Sequence, residues 1–168
     1  MITADWARHM ARYNRWQNES LIAAADGLDD TARQHERGAF FGSIQRTFSH
    51  LLWGDTVWIA RFDAGETTEV SISDSPDWVR DWADFKARRK VMDQRITDWT
   101  ARLRDEDAEG VLEWYSGALG RRMAMPRAVC MMQVFNHQTH HRGQIHAMLT
   151  AAGADPGNTD IPFMPEEE

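Results

Sequence analysis

The chain has 168 residues, which favours a single domain over residues 1–168 with a core that needs no disulfides. Its one cysteine, Cys130, is predicted to be a small buried residue; it excludes an internal disulfide and a four-cysteine zinc site, and suits the cytoplasm. The net charge of -7, with basic residues scattered among acidic ones, argues against a nucleic-acid partner, and no apolar stretch matches a signal peptide or membrane span.

The first two predicted helices are separated by a loop. Apolar residues recur at helical spacing over about residues 3–27, and Gly27 is a natural end for that helix. The acidic segment Leu28-Asp29-Asp30-Thr31 then leads into the loop. Ser43 is a suitable N-cap for a second helix that runs to about Phe62.

Two polar residues of the second helix need an explanation. His50 lies at the edge between the apolar and polar faces, where an ordinary helical histidine and a metal ligand are both compatible with the pattern. Asp55 falls on the apolar side and requires a buried partner, for which Arg142 or a tryptophan N–H are candidates.

A third helix is predicted to begin at Ser75-Pro76-Asp77, which combines an N-cap, a first-turn proline and an acid. It continues to about Leu103 with apolar residues four and three apart. Helical periodicity is lost over residues 105–125, which indicates a short extended or hairpin excursion. The fourth helix covers about residues 126–152. The predicted fold is therefore all-α, a four-helix bundle with that excursion before the last helix.

The fourth helix carries four of the seven histidines within ten positions. His137 and His141 are four residues apart, so their side chains lie about 40° apart on one face and can bind one ion. Such pairs are also common as surface or core residues, and a metal site needs a third ligand. Gln138 stands where a zinc peptidase would have its glutamate base, which excludes that class. If helices two and four are neighbours, His50 is a candidate third ligand, with His140 in reserve.

Several segments of the chain match a known family. They are Tyr13-Asn14-Arg15-Trp16, Ser43-Ile44, Ser49-His50-Leu51-Leu52-Trp53-Gly54-Asp55, Trp58, Arg61-Phe62, Asn136-His137-Gln138-Thr139-His140-His141-Arg142-Gly143-Gln144 and Thr159-Asp160-Ile161-Pro162. With these segments the chain resembles the DinB/YfiT-like metalloenzymes, a damage-inducible family unrelated to the DNA polymerase of the same name. The resemblance covers nearly the whole sequence.

The resemblance implies a metal site formed by His50, His137 and His141, with zinc or nickel as the ion. It also implies a homodimer and thiol-dependent transfer, with a low-molecular-weight thiol as co-substrate, or hydrolysis, on a small molecule. A non-catalytic metal-binding protein of the stress response is the alternative. No carboxylate is spaced as a general base, so no catalytic residue is assigned. Gln144 is expected to orient a ligand ring, Arg142 to pair with a carboxylate, and Gly143 to admit another helix closely.

Overall fold

The computed structural model describes residues 2–166, and their fold is mostly helical. The helices are α1 (Ala4–Asp26), α2 (Asp30–Gln34), α3 (Ile44–Asp63), α4 (Trp82–Arg102) and α5 (Arg127–Ala151), and the strands are β1 (Val111–Ser116) and β2 (Arg121–Pro126). Short 3₁₀ turns occupy Ser75–Asp77, Asp105–Ala108 and Ile161–Phe163. Within residues 2–166, no helix combines the length and apolar character that crossing a bilayer requires.

The four long helices share one apolar core. α1 packs against α4 and α5, and α3 packs against the same two helices. Each of them contributes fully buried side chains, among them Leu21, Phe48, Ile96 and Ile145. α3 and α5 are therefore neighbours, which is the arrangement that a site shared by their histidines requires.

The predicted starts of the first two long helices are confirmed by their caps. The Thr3 hydroxyl accepts a hydrogen bond from the Trp6 amide at 3.1 Å, and the Ser43 hydroxyl accepts one from the Arg46 amide at 3.2 Å. Both satisfy amides that have no partner inside the helix. The sequence missed α2, whose five residues follow an Asp29 cap within the predicted loop.

The predicted start of the third helix is wrong, because tertiary hydrogen bonds compete with helix formation there. Ser75-Pro76-Asp77 forms a separate 3₁₀ turn, and α4 begins only after its own cap, Asp81. Between them, the Val79 carbonyl accepts a hydrogen bond from Gln45 at 3.1 Å, and the Val79 amide donates to Ser49 at 3.0 Å. Two side chains of α3 thus bind the backbone groups that would have continued the helix.

The excursion before the last helix is an antiparallel hairpin, so the fold is not purely α-helical. β1 pairs with β2 from Val111 opposite Pro126 to Ser116 opposite Arg121. Trp114 of β1 packs edge-on against Trp58 of α3, with ring centroids 5.5 Å apart. This contact holds the hairpin on the helices.

Three expectations about individual residues need correction. Asp55 is buried, but its partners are Arg89 of α4 and Gln138 of α5 rather than Arg142 or a tryptophan. Arg142 donates to the side-chain oxygen of Asn14 and not to a carboxylate. A Cβ added at Gly143 would meet no atom within 4 Å, so this glycine does not admit a helix. Cys130 is 2% exposed, as predicted.

Candidate metal centre

α3 and α5 bring together the three histidines that the sequence singled out. One ring nitrogen from each of His50, His137 and His141 lies within 4.8 Å of the others. The Nε2 atoms of His50 and His137 are only 3.2 Å apart. His50 and His141 are buried, while His137 is half-buried. Within residues 2–166 the cluster contains these three residues, and His140 is not one of them.

The 3₁₀ turn after α3 fixes the proton on the His50 ring. The Ser75 hydroxyl lies 2.7 Å from His50 Nδ1 and donates to the Ile72 carbonyl at 2.6 Å. A hydroxyl has one proton, so Ser75 must accept the hydrogen bond from His50 Nδ1–H. The neutral His50 ring then carries its lone pair on Nε2, the atom that faces His137.

Gln144 orients the His141 ring in the same way. His141 Nδ1 lies 2.8 Å from Gln144 Oε1, and a carbonyl oxygen only accepts. His141 therefore carries its proton on Nδ1 and its lone pair on Nε2. The other end of the Gln144 amide lies 3.3 Å from Nε2 of the exposed His140. His140 thus supports Gln144 from outside the cluster.

Gly54 makes room for the third ring. A Cβ built at Gly54 would lie 2.6 Å from His137 Cε1 and 3.1 Å from Nδ1. A side chain at this position would therefore overlap the imidazole. Glycine inside a helix costs about 1 kcal/mol relative to alanine. The close approach of His137 is the structural reason for a glycine at position 54.

The cluster favours neutral imidazoles. Burial, with repulsion from neighbouring histidines, lowers the pKa of His50 and of His137 to about 3. Burial also lowers the pKa of His141, although its hydrogen bond to Gln144 acts in the opposite direction. Neutral rings with free Nε2 lone pairs are the form in which histidine binds metals.

Aromatic rings enclose His50 on two sides. Phe41 stacks on it with ring centroids 3.9 Å apart, and Trp53 lies on another side at 5.6 Å. The Phe41 ring is also 5.4 Å from that of His141. These contacts exclude water from around the rings and restrict their rotation.

The donor set fits a divalent metal ion. Two nitrogens that each bind one tetrahedral zinc at about 2.0–2.1 Å are about 3.3 Å apart, close to the 3.2 Å between Nε2 of His50 and His137. The tautomer of His137 with its proton on Nδ1 directs a second lone pair at the His50 Nε2 lone pair, and a cation between them would bind both. The other tautomer donates His137 Nε2–H to His50 Nε2 as a neutral hydrogen bond. Borderline ions such as zinc and nickel accept imidazole ligands readily.

Sequence reasoning found the three rings and Gln144, but it missed Ser75, Phe41 and Gly54. Ser75 was interpreted as a helix cap, and Phe41 was assigned only to a loop. Gly54 carried a detectable signal, because a glycine in the middle of an amphipathic helix needs a packing reason. Ser75 and Phe41 had no such signal, since their contacts depend on how distant segments meet.

The comparisons with known proteins agree with this architecture. The model of the DinB family matches residues 1–168. The chain belongs to the DinB family. A curated DinB relative, Protein DinB of Bacillus subtilis (strain 168), is 26% identical over 166 residues, which cover 94% of this chain and 92% of the relative. A crystal structure of a DinB-like protein from Bacillus cereus ATCC 10987 has a TM-score of 0.54 and 22% identity, and the match covers 86% of this chain and 91% of that one. The DinB fold is thus common to both.

Proposed function

We propose that this DinB protein is a four-helix bundle that binds one divalent metal ion, zinc or nickel, through His50, His137 and His141. The observation that supports this most is the 3.2 Å separation of the His50 and His137 Nε2 atoms. Hydrogen bonds from Nδ1 to Ser75 and Gln144 favour the ligand tautomer at His50 and His141.

We further propose that the site is catalytic and acts on a small molecule. A divalent ion held by three imidazoles is a Lewis acid that lowers the pKa of a bound water or thiol. Three protein ligands leave coordination positions for such a group, whereas a closed set of four would be typical of a structural site. Within residues 2–166 no fourth histidine, cysteine or carboxylate joins the cluster, which favours an enzyme over a non-catalytic metal-binding protein of the stress response.

The reaction proposed is transfer of a low-molecular-weight thiol to an electrophile, or hydrolysis. The family resemblance supports the first of these. The chain's own residues would hold the ion with neutral rings and, through Phe41 and Trp53, limit water around His50. No side chain in the cluster is positioned as a general base, so the nucleophile must be activated at the ion.

Metal analysis of protein purified without a histidine tag tests the binding proposal. We expect about one zinc or nickel ion per chain in the wild type, and none in His137→Ala, which should keep its helical circular dichroism because the ring is only half-buried. Stoichiometric metal in the folded variant would contradict the ligand assignment.

An activity screen then tests catalysis. Wild-type protein is assayed for conjugation of small thiols to electrophiles and for hydrolysis of model esters, with and without a chelator. We expect turnover that the chelator abolishes and that zinc or nickel restores. Chelator-insensitive turnover, or none with a loaded site across both panels, would favour the non-catalytic alternative.

We also propose that the chain forms a homodimer and does not bind nucleic acid. Exposed apolar residues on the hairpin, Val111, Tyr115 and Leu119, provide surface for such an interface. Light scattering during size exclusion measures the mass, and a monomer at micromolar concentration would contradict the dimer.

A further inference from the structure

A ring of buried polar side chains joins all four long helices beside the histidines. Its members are Asn14 and Asn18 of α1, Asp55 of α3, Arg89 and Asp93 of α4, and Gln138 and Arg142 of α5. None of them is more than 6% exposed. Charged and amide groups at this depth require partners, so their contacts define a specific arrangement of the helices.

The contacts run from helix to helix and return to α5. Gln138 Nε2 donates to Asp55 Oδ1 at 2.8 Å, and Arg89 donates to the other oxygen of Asp55 at 2.5 Å. Arg89 also pairs with Asp93 at 2.9 Å, and Asp93 accepts from the Asn18 amide at 2.8 Å.

The remaining contacts lead from α4 through α1 back to α5. The amide of Asn14 approaches Asp93 at 3.5 Å, and its side-chain oxygen accepts from Arg142. The ring therefore starts and ends on the same helix, at Gln138 and Arg142, which are four residues apart on one face.

These two end points are adjacent in sequence to the α5 histidines. Gln138 follows His137, and Arg142 follows His141. Successive helical residues are about 100° apart around the axis, so directing Gln138 and Arg142 into the ring also directs both histidines toward α3. On α3, Asp55 follows Gly54, whose lack of a side chain leaves room for the His137 ring.

Stability alone does not explain the ring. Apolar side chains of similar volume often stabilise a core as well as a buried ionic network or better. Gln138 Oε1, Asn18 Oδ1 and Arg89 Nε also lack hydrogen-bond partners among the protein atoms of residues 2–166. Hydrogen bonds, however, depend more steeply on direction than apolar contacts do, so they restrict the rotation of a helix more closely.

We propose that Gln138 is a positioning residue for the metal centre: its hydrogen bond to Asp55 sets the rotation of α5 and its spacing from α3, so that His137 and His141 converge with His50. This proposal rests on the proposed metal site. The ion senses the hydrogen bond only through the imidazoles, because Gln138 itself is not a ligand.

Cobalt(II) provides a probe whose visible absorption reports coordination geometry as well as binding. Full-length protein without a tag is stripped with a chelator and titrated with Co²⁺. Gln138→Met keeps the length of the side chain and removes the hydrogen bond. We expect its affinity to fall by about 10- to 100-fold, the usual effect of losing a residue that orients a ligand, with a changed visible spectrum.

Ile96→Val is the matched control. It removes one buried methyl group from α4 and breaks no hydrogen bond of the polar ring, so we expect affinity within twofold of wild type and an unchanged spectrum. If Gln138→Met does not unfold cooperatively, Gln138→Asn replaces it; this variant keeps the amide but is one methylene too short, and the same spectral change is expected.

The outcomes separate the two proposals. Binding that His137→Ala abolishes and the folded Gln138 variant retains, with the wild-type spectrum, would overturn the positioning role alone. An equal loss of affinity in Ile96→Val would also overturn it, because general destabilisation would then explain the effect. Wild-type protein that binds no Co²⁺ would overturn the metal site and this proposal with it.

Discussion

A methyl group at Gly54 should remove His137 from the metal centre without harming the fold. The added Cβ would lie 2.6 Å from His137 Cε1, whereas carbon atoms in contact are about 3.5–4.0 Å apart. The ring must therefore retreat by about 1 Å. Metal–nitrogen distances tolerate only about 0.2 Å, so the bond to His137 is lost. We expect Gly54→Ala to weaken zinc binding at least about 100-fold, beyond the usual effect of an indirect substitution.

The effect on stability should have the opposite sign. Alanine in a helix interior is favoured over glycine by about 1 kcal/mol, and the imidazole can swing outward at little cost. Gly143→Ala is the matched control, since its Cβ would meet nothing within 4 Å. Both variants should raise the unfolding temperature of the metal-free protein, but only Gly54→Ala should lose affinity in competition with a chromophoric chelator. Wild-type affinity in Gly54→Ala would refute the close approach of His137.

Three further predictions follow from hydrogen bonds and charge. Ser75→Ala should lower zinc affinity about 10- to 100-fold, because His50 Nδ1 loses its acceptor; an unchanged constant in the same competition assay would contradict the tautomer assigned to His50. Since the pKa values of His50 and His137 are lowered to about 3, both rings stay neutral at pH 5, and affinity should fall less than about tenfold between pH 7 and pH 5. An ordinary histidine, with a pKa of about 6.5, would cost about 30-fold per ring, so a loss near 1000-fold would count against the neutral cluster. Tyr13→Phe removes a hydrogen bond to the Thr159 carbonyl and should cost about 1 kcal/mol in urea unfolding while leaving zinc affinity unchanged.

The same lowered pKa values predict acid sensitivity of the metal-free protein. The unfolded chain binds protons at these rings below about pH 6.5, but the folded chain does so only near pH 3. The free energy of unfolding of the metal-free protein should therefore decrease as the pH falls from about 6.5 towards 3. Bound zinc should reduce this decrease. Urea unfolding at pH 7 and pH 5 measures it, and equal stability of the metal-free protein at both values would contradict the burial of His50 and His137.

The helical periodicity of the sequence was enough to predict the parts of the fold that depend on local sequence pattern. The periodicity placed the start of the first helix near Thr3, and the Ser43 cap indicated where the second begins, because a capping side chain satisfies the first amides wherever the helix packs. The spacing of His137 and His141 likewise predicted a shared face before any neighbour was known. Those features belong to one helix at a time.

The errors lie where segments distant in sequence meet. Ser75 is of a residue type that often caps helices, but its hydroxyl contacts His50 and the Ile72 carbonyl instead. Asp55 required a partner, and Arg89 could not be chosen over Arg142 without knowing that α3 and α4 pack together. Whether such a side chain caps a helix or bonds to a distant segment depends on competition between local and tertiary hydrogen bonds. The outcome cannot be read from a single sequence.

The most direct test of the metal centre counts its imidazoles. X-ray absorption of tag-free protein loaded with one equivalent of zinc gives the number and distance of histidine ligands. We predict three imidazole nitrogens at about 2.0–2.1 Å in the wild type. His50→Ala should show two, because only the ligands on α5 remain. A spectrum with one imidazole or none, or one that His50→Ala leaves unchanged, would contradict a centre shared by the two helices.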